Sequence, residues 1–180
     1  MILNVGGQQT RDRYPQGWIC VDILPGADYY CDVSKMELPF KNETCEAIYC
    51  LHMLEHIWSW RQDFVMSEFF RVLKHNCPIR IVVPDMDIAI NNYVANRADG
   101  SPGRLAGCMD WWFDPQPDKD GNGQLSHVYG FNWFSMHFQV TRAGFINVIR
   151  SQYNKGSQVF SGCDNPGHEH TSLYVEAIKS

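Results

Sequence analysis

The sequence predicts an α/β domain on a mainly parallel sheet. Short apolar runs recur through the first half, each stopped by a turn signal, as in strands buried on both faces. A helical stripe follows them, with Phe64, Val65, Glu68, Phe69, Val72 and Leu73 in the segment from Gln62 to Lys74. A further apolar, β-branched run comes after that helix, and strands alternating with helical segments build parallel sheets. With 180 residues the chain is long enough for one domain with a sizeable core.

The elements follow in order. Ile2 to Val5 reads as a buried strand ending in the turn Gly6-Gly7. Trp18 to Ile23 is a second strand, stopped by Pro25-Gly26, and Tyr29 to Val33 a third. Glu46 to Cys50 is the fourth, and Ile79 to Val83 the fifth, closed by Pro84. The interval from Ile23 to Asp28 is too short for a helical crossover, which takes a dozen or more residues. From Asp85 to Asn132 the composition shifts to Gly, Pro and Asp, yet it carries Trp111-Trp112-Phe113, Tyr129 and Phe131. Such aromatic mass outside strand patterns suits a lid or pocket wall, or else a satellite cluster packed on the sheet. Within a single domain spanning 1–180, the segment 86–134 is therefore the expected lid or substrate-pocket insertion. Ser135 to Gly144 reads as a helix closed by glycine, and Phe145 to Arg150 and Ser172 to Ile178 as the last strands. Asp164 to His170 reads as a polar loop between those two.

Composition excludes several classes. The net charge of −5, without clustered Lys or Arg, argues against strong nonspecific nucleic-acid binding. No apolar run is long enough to cross a membrane, and Met1 leads straight into the first strand without a signal peptide. The cysteines are scattered, without a Cys-x-x-Cys pair, and read as reduced thiols. The expected compartment is the cytoplasm.

Three features suit a nucleoside cofactor. Gly6 and Gly7 let the backbone turn and approach a ligand without Cβ obstruction. Asp22, ending the second strand, can accept hydrogen bonds from both ribose hydroxyls, and Asp32, ending the third, can receive an adenine amino group beside the backbone of Val33. Gly-x-Gly-x-x-Gly is absent, since Gln8 and Gln9 follow the glycines, which disfavours a dinucleotide.

Leu3-Asn4-Val5-Gly6-Gly7, Gly17 to Ile23, Cys31-Asp32-Val33 and Leu38-Pro39-Phe40 together resemble class I S-adenosylmethionine-dependent methyltransferases, closest to the small type 11 set. Ile48 to His56, Phe70 to Lys74, Ile79 to Asp85, His127 to Phe131 and Ser172 to Ala177 extend the resemblance over nearly the whole chain. It implies a Rossmann-like fold with an antiparallel last strand, here with reduced helices in the N-terminal half, and S-adenosyl-L-methionine as cofactor. It also implies methionine-end contacts from Asn4, Val5, Gly6, Gly7 and Gln8, ribose contacts at Asp22 and Ile23, adenine contacts at Asp32 and Val33, and a lining near the sulfonium from Cys50 and Leu51. Gln8 stands where the family usually has a further glycine, Lys74 to Pro78 replaces a Lys-Pro-Gly-Gly turn, and no helix precedes the first strand. The expected reaction is methyl transfer to a small-molecule acceptor such as a sugar or sugar-linked hydroxyl. A protein of this fold that binds S-adenosylmethionine or a partner without turnover is the alternative.

His52-Met53-Leu54-Glu55-His56 matches the His-x-x-Glu-His of inverted zinc peptidases, the basis of a remote metal-dependent hydrolase reading. On a helix, His52, Glu55 and His56 would share a face. A third ligand in a fitting helical context is not evident, and Leu-Glu-His is common in the methyltransferase family as a helix start. The segment also resembles the Glu-x-x-Glu-His with which plant small-RNA methyltransferases, using a distant histidine, hold a metal. His52 replaces the first Glu, and His127 or His137 would be the distant partner. No residue is assigned to a metal at this stage. For an acceptor hydroxyl, the candidate bases are His127 first, then His56 and Asp85, the last alternatively a helix cap.

Overall fold

The computed structural model describes residues 1–7, 12–96, 116–117 and 124–180. Seven strands form one sheet: β1 (Ile2–Val5), β2 (Ile19–Asp22), β3 (Tyr29–Tyr30), β4 (Ala47–Leu51), β5 (Pro78–Pro84), β6 (Phe145–Arg150) and β7 (Ser172–Lys179). Their order is β3-β2-β1-β4-β5-β7-β6. β1 to β5 run parallel, and the last strand, β7, is antiparallel to both neighbours, as expected. Gln116–Pro117 and Gln124–Leu125 pair as a separate short ribbon.

Alternation along the central strands sends apolar side chains to both faces. On one face Leu3, Val5, Ile48, Cys50, Ile79 and Ile81 meet α1 (Ser59–Val72) and α3 (Trp133–Arg142), which contribute Val65, Phe69, Met136 and Val140. On the other, Tyr49, Val82 and Tyr174 meet Phe160 and Cys163 from the β6–β7 connection, with Tyr14 and Trp18 alongside. Among the described residues, no α-helix contributes to that second cluster. Aromatic contacts take its place, Tyr14 stacking on Trp18 at 5.7 Å between ring centres and meeting Tyr49 edge-on at 5.6 Å. Among the described residues, no α-helix joins β1 to β2 or β2 to β3, so the reduced helices are found where expected.

Arg80 is fully buried in the middle of β5, directly opposite Glu176 of β7. Its guanidinium donates to Glu176, to Asp164 (Nε to Oδ1, 3.0 Å), and to the carbonyls of Gln152 and Lys155, both at 2.8 Å. Asp164 also accepts from the Tyr49 hydroxyl at 2.8 Å and the Asn154 amide at 2.7 Å. Glu176 accepts from the Ser157 amide and hydroxyl. A buried charge is tolerated only when it is paired and hydrogen-bonded, and this network satisfies the fork completely. Asp164 therefore does not belong to an exposed polar loop, which corrects the reading of its segment.

Other boundaries differ from the sequence reading for local reasons. β3 stops at Tyr30 because the Asp32 carboxylate accepts from the Ser34 amide and hydroxyl, folding the chain into a turn. α1 starts earlier, at Ser59, and ends at Val72, where Leu73 turns to extended backbone and bridges Cys45. Residues 86–134 open with a helix, α2 (Met86–Asn96), capped by Asp85 through the Asp87 amide. Their far end reaches the main core, where Phe131 is buried. α3 starts at Trp133 behind a capping box of Asn132 and Ser135, and Gly144 follows it at φ +102°. No helix among the described residues is long and apolar enough to cross a membrane, and the six described cysteines are free.

Asp164→Ala is expected to lower unfolding free energy by about 3–5 kcal/mol, because it leaves Arg80 buried beside an incomplete set of acceptors. Urea denaturation checks this, and a loss below about 1 kcal/mol would show that the network is solvated rather than closed.

Candidate functional site

The carboxyl ends of β1, β2, β4 and β5 share one edge of the sheet, where open α/β sheets take ligands. Gly6 turns there with φ +79°, its amide donating to the Val21 carbonyl at 2.9 Å. A Cβ on Gly6 would stand 2.5 Å from Met53 Cβ, and one on Gly7 would stand 2.0 Å from the Asn4 carboxamide nitrogen. Both positions therefore exclude side chains. Asn4 is 1% exposed, and neither its carboxamide oxygen nor its nitrogen bonds any described residue. It borders a cleft of about 220 Å³ beneath Tyr14, Gly17 and Trp18. A bare backbone turn over an unsatisfied buried amide is a setting that a polar ligand completes.

Register puts Val5 between Val21 and Cys50, so the other expected cofactor residues line up beside the turn. Asp22 is buried at the end of β2, its Oδ1 accepting from the Leu24 amide at 3.1 Å, and Ile23 lies exposed after it. Cys50 and Leu51 are buried at the end of β4, and burial pushes the Cys50 thiol up, keeping it protonated. Asp32 and Val33 lie beyond the end of β3 rather than within it. Burial raises the Asp32 carboxyl, but hydrogen bonds from Lys35 and Ser34 outweigh it and hold the group below the usual range. Gln8 lies outside the described residues.

Past Leu51 the chain turns through His52, at φ +45°, into a single 3₁₀ turn, Leu54–His56. His52, Glu55 and His56 therefore do not share the face of an α-helix, contrary to the helical expectation. His52 Nε2 lies 2.7 Å from the Ser172 hydroxyl, and its ring stacks on His168 at 3.9 Å. Sequence reasoning missed both partners: His168 sits in the β6–β7 connection, which has no periodic signal, and Ser172 opens β7, where strand pattern says nothing of a histidine partner.

Glu55 is 1% exposed, and neither carboxylate oxygen makes a hydrogen bond. The nearest cation-forming group is His52 Nδ1 at 3.4 Å from Oε1. The Glu55 carbonyl accepts from the Val128 and Tyr129 amides, which brings His127 back onto this turn. His56 Nδ1 lies 3.0 Å from the Ser126 carbonyl, and its ring centre is 5.0 Å from that of His127. One ligand atom from each of Glu55, His56 and His127 falls within 4.8 Å of the others. His137 is outside this group, packed edge-on against Trp133 at 5.1 Å.

Burial governs the protonation here. It pushes the Glu55 carboxyl up to about 8 and holds His52 and His56 below the ordinary histidine range. His127 is pushed down to about 4 by burial and by its neighbour His56. Near neutral pH the cluster thus presents uncharged imidazoles. Asp85, the remaining candidate base, has its Oδ1 on the Asp87 amide and its Oδ2 on Arg150 at 2.8 Å, so its carboxylate is spent on capping and pairing.

Glu55 gives the protein a testable pH dependence. Its folded-state pKa is raised, so the folded form holds a proton that the unfolded chain releases near pH 4.5. That contribution to stability is fully present below pH 4.5 and is lost as pH rises through about 8. The depressed imidazoles act oppositely, losing stability as pH falls below 6.5. Glu55→Gln is expected to abolish the alkaline loss alone, read as a flattened melting temperature between pH 6.5 and pH 8 in chelator-treated protein, with the acid loss kept. An unchanged wild-type slope in the variant would place the titration elsewhere.

The domain and the fold have known counterparts. Residues 17–80 match the type 11 family of the methyltransferase domain. No curated protein matches the sequence. The structure is similar to a SAM-dependent methyltransferase from Archaeoglobus fulgidus, at 13% identity and a TM-score of 0.59, over 99% of this chain and 85% of that one. It is similar to a SAM-dependent methyltransferase of Thermotoga maritima, a possible histamine N-methyltransferase, at 12% identity and a TM-score of 0.58, over 99% and 81%. A third likeness is to phosphoethanolamine N-methyltransferase 2 of Haemonchus contortus, in complex with phosphomonomethylethanolamine and S-adenosylhomocysteine, at 13% identity and a TM-score of 0.54, over 99% and 48%. Residues 17–80 thus match a methyltransferase domain, and the chain as a whole has the fold of class I, S-adenosylmethionine-dependent methyltransferases.

Proposed function

We propose that the protein binds S-adenosylmethionine along the β1–β4 edge and transfers its methyl group to a hydroxyl of a small molecule, a sugar or sugar-linked alcohol being the favoured class. The observation that carries this reading is the juxtaposition of two structures at one sheet edge. A side-chain-free turn over Asn4 stands beside a half-buried cluster of neutral imidazoles, linked through Met53, which packs on Gly6 and precedes the Leu54–His56 turn.

Under this reading Asn4, Val5, Gly6, Gly7 and Gln8 take the methionine end. Asp22, with Ile23, takes the ribose, Asp32 and Val33 the adenine, and Cys50 and Leu51 the region of the sulfonium. When bound, the cofactor supplies a methyl group on a sulfonium, whose in-line displacement asks for positioning and for removal of the acceptor's proton. His127 is the first candidate to accept that proton and His56 the second, both uncharged and so able to act as bases. The segment 86–134 is assigned to the acceptor wall, because its Ser126 and His127 touch the Glu55–His56 turn.

Calorimetry with S-adenosylmethionine and S-adenosylhomocysteine is expected to show one site per chain. Asp22→Ala should weaken it about tenfold or more, the worth of one or two hydrogen bonds to a charged group. No binding to well-folded protein would overturn the reading. His127→Ala is expected to lower kcat about a hundredfold with cofactor affinity unchanged, as measured by methyl release over a panel of alcohols. Cofactor binding without turnover on any acceptor would leave a binding protein instead.

A further inference from the structure

We propose that Glu55, His56 and His127 form the binding site for one divalent transition-metal ion of the zinc type. Three side chains from two distant segments put a carboxylate oxygen and two imidazole nitrogens within 4.8 Å of one another. Ions of this class take such spacing and this donor mixture, whereas magnesium prefers oxygen throughout.

Glu55 supplies the independent observation. A carboxyl group that is 1% exposed and makes no hydrogen bond, with only His52 Nδ1 at 3.4 Å beside it, ionises at a desolvation cost that the fold offsets weakly. A bound cation is the partner that removes that cost. The surroundings also look like the outer shell of a metal site. His56 Nδ1 faces the Ser126 carbonyl at 3.0 Å, an arrangement that places the proton on Nδ1 and leaves the Nε2 lone pair for a ligand. His52 lies 3.4 Å from Glu55 through Nδ1 while its Nε2 faces Ser172, so it orients the carboxylate rather than joining the ligand set. With three protein ligands, such an ion keeps a position open for an exogenous oxygen.

The ion's role rests on the proposed function, because this turn borders the edge assigned to the cofactor. A cation there would act as a Lewis acid toward the acceptor oxygen, lowering its pKa. His56 and His127 would then serve as ligands, and acidity imparted by the ion would replace proton abstraction by a free imidazole.

The test uses the full chain, made without an affinity tag, dialysed against a chelator and titrated with zinc by calorimetry, with magnesium as control. One zinc per chain is expected, with cobalt giving visible absorption bands of a nitrogen- and oxygen-liganded ion. Glu55→Gln and His127→Ala should each abolish stoichiometric binding, and His52→Ala should weaken it about tenfold. His170→Ala, at an exposed histidine, should change nothing. The isosteric Glu55→Gln keeps the test decisive if the histidine variant folds poorly. No stoichiometric zinc, binding that survives in Glu55→Gln, or loss confined to His170→Ala would overturn the proposal. Titration with S-adenosylhomocysteine in parallel separates the two readings: zinc without the nucleoside upholds the metal site alone, and the nucleoside without zinc upholds the methyltransferase alone.

Discussion

Arg80 carries its charge into the centre of the sheet, and the face covered by aromatic side chains and the β6–β7 connection is arranged around it. Placed on β5 opposite Glu176, it needs acceptors in the plane of its fork, and the β6–β7 connection supplies them as Asp164 and two carbonyls. That requirement folds the connection back across the sheet and seats Phe160 and Cys163 on Tyr49 and Val82. The same connection then carries His168 onto His52 and delivers Ser172 to the ring's other side. The ion-pair network thus fixes, at a distance, the histidine that stands beside Glu55. Buried pairs of this kind contribute little net stability against apolar replacements, so its value here lies in specifying where the connection runs.

The consequence is a sheet covered by helices on one side and by aromatic loops on the other. The crossover after β2 is too short for a helix, and Tyr14 and Trp18 pack on the β1–β4 region on this side of the sheet. The turn at Gly6-Gly7 keeps its form because Met53 and Asn4 fill the space a side chain would need. The Gly6-Gly7 turn and the histidine turn are therefore not separate features. Both hang on the segment that follows β4, whose first residue, His52, adopts a left-handed conformation to make the turn.

Much of this was legible in the sequence. Continuous apolar runs marked β1, β2, β4 and β5, and the glycines and Asp22 fell at strand ends as their positions implied. What was not legible depends on contacts between distant residues. Nothing in Ile79-Arg80-Ile81 marks Arg80 as buried, and only its distant partners Asp164 and Glu176 explain why it is. The helix after Asp85 was hidden by the glycine- and proline-rich composition of the segment it opens, and by the ambiguity of an aspartate that suits both a cap and a base. Tyr29 to Val33 has strand composition, yet the short-range bonds of Asp32 and Ser34 end the strand early. The meeting of Glu55 with His127 rests on two backbone amides, at Val128 and Tyr129, that no motif encodes.

The central claim is that one sheet edge holds the cofactor with its reactive end toward the Glu55–His56–His127 turn. A crystal structure with S-adenosylhomocysteine bound tests it most directly. Ribose hydroxyls on Asp22, the amino-acid end over Asn4 and Gly6-Gly7, and the sulfur facing the histidine turn are the expected result. A ligand lying elsewhere, or bound here with its sulfur turned away from His56 and His127, would contradict it.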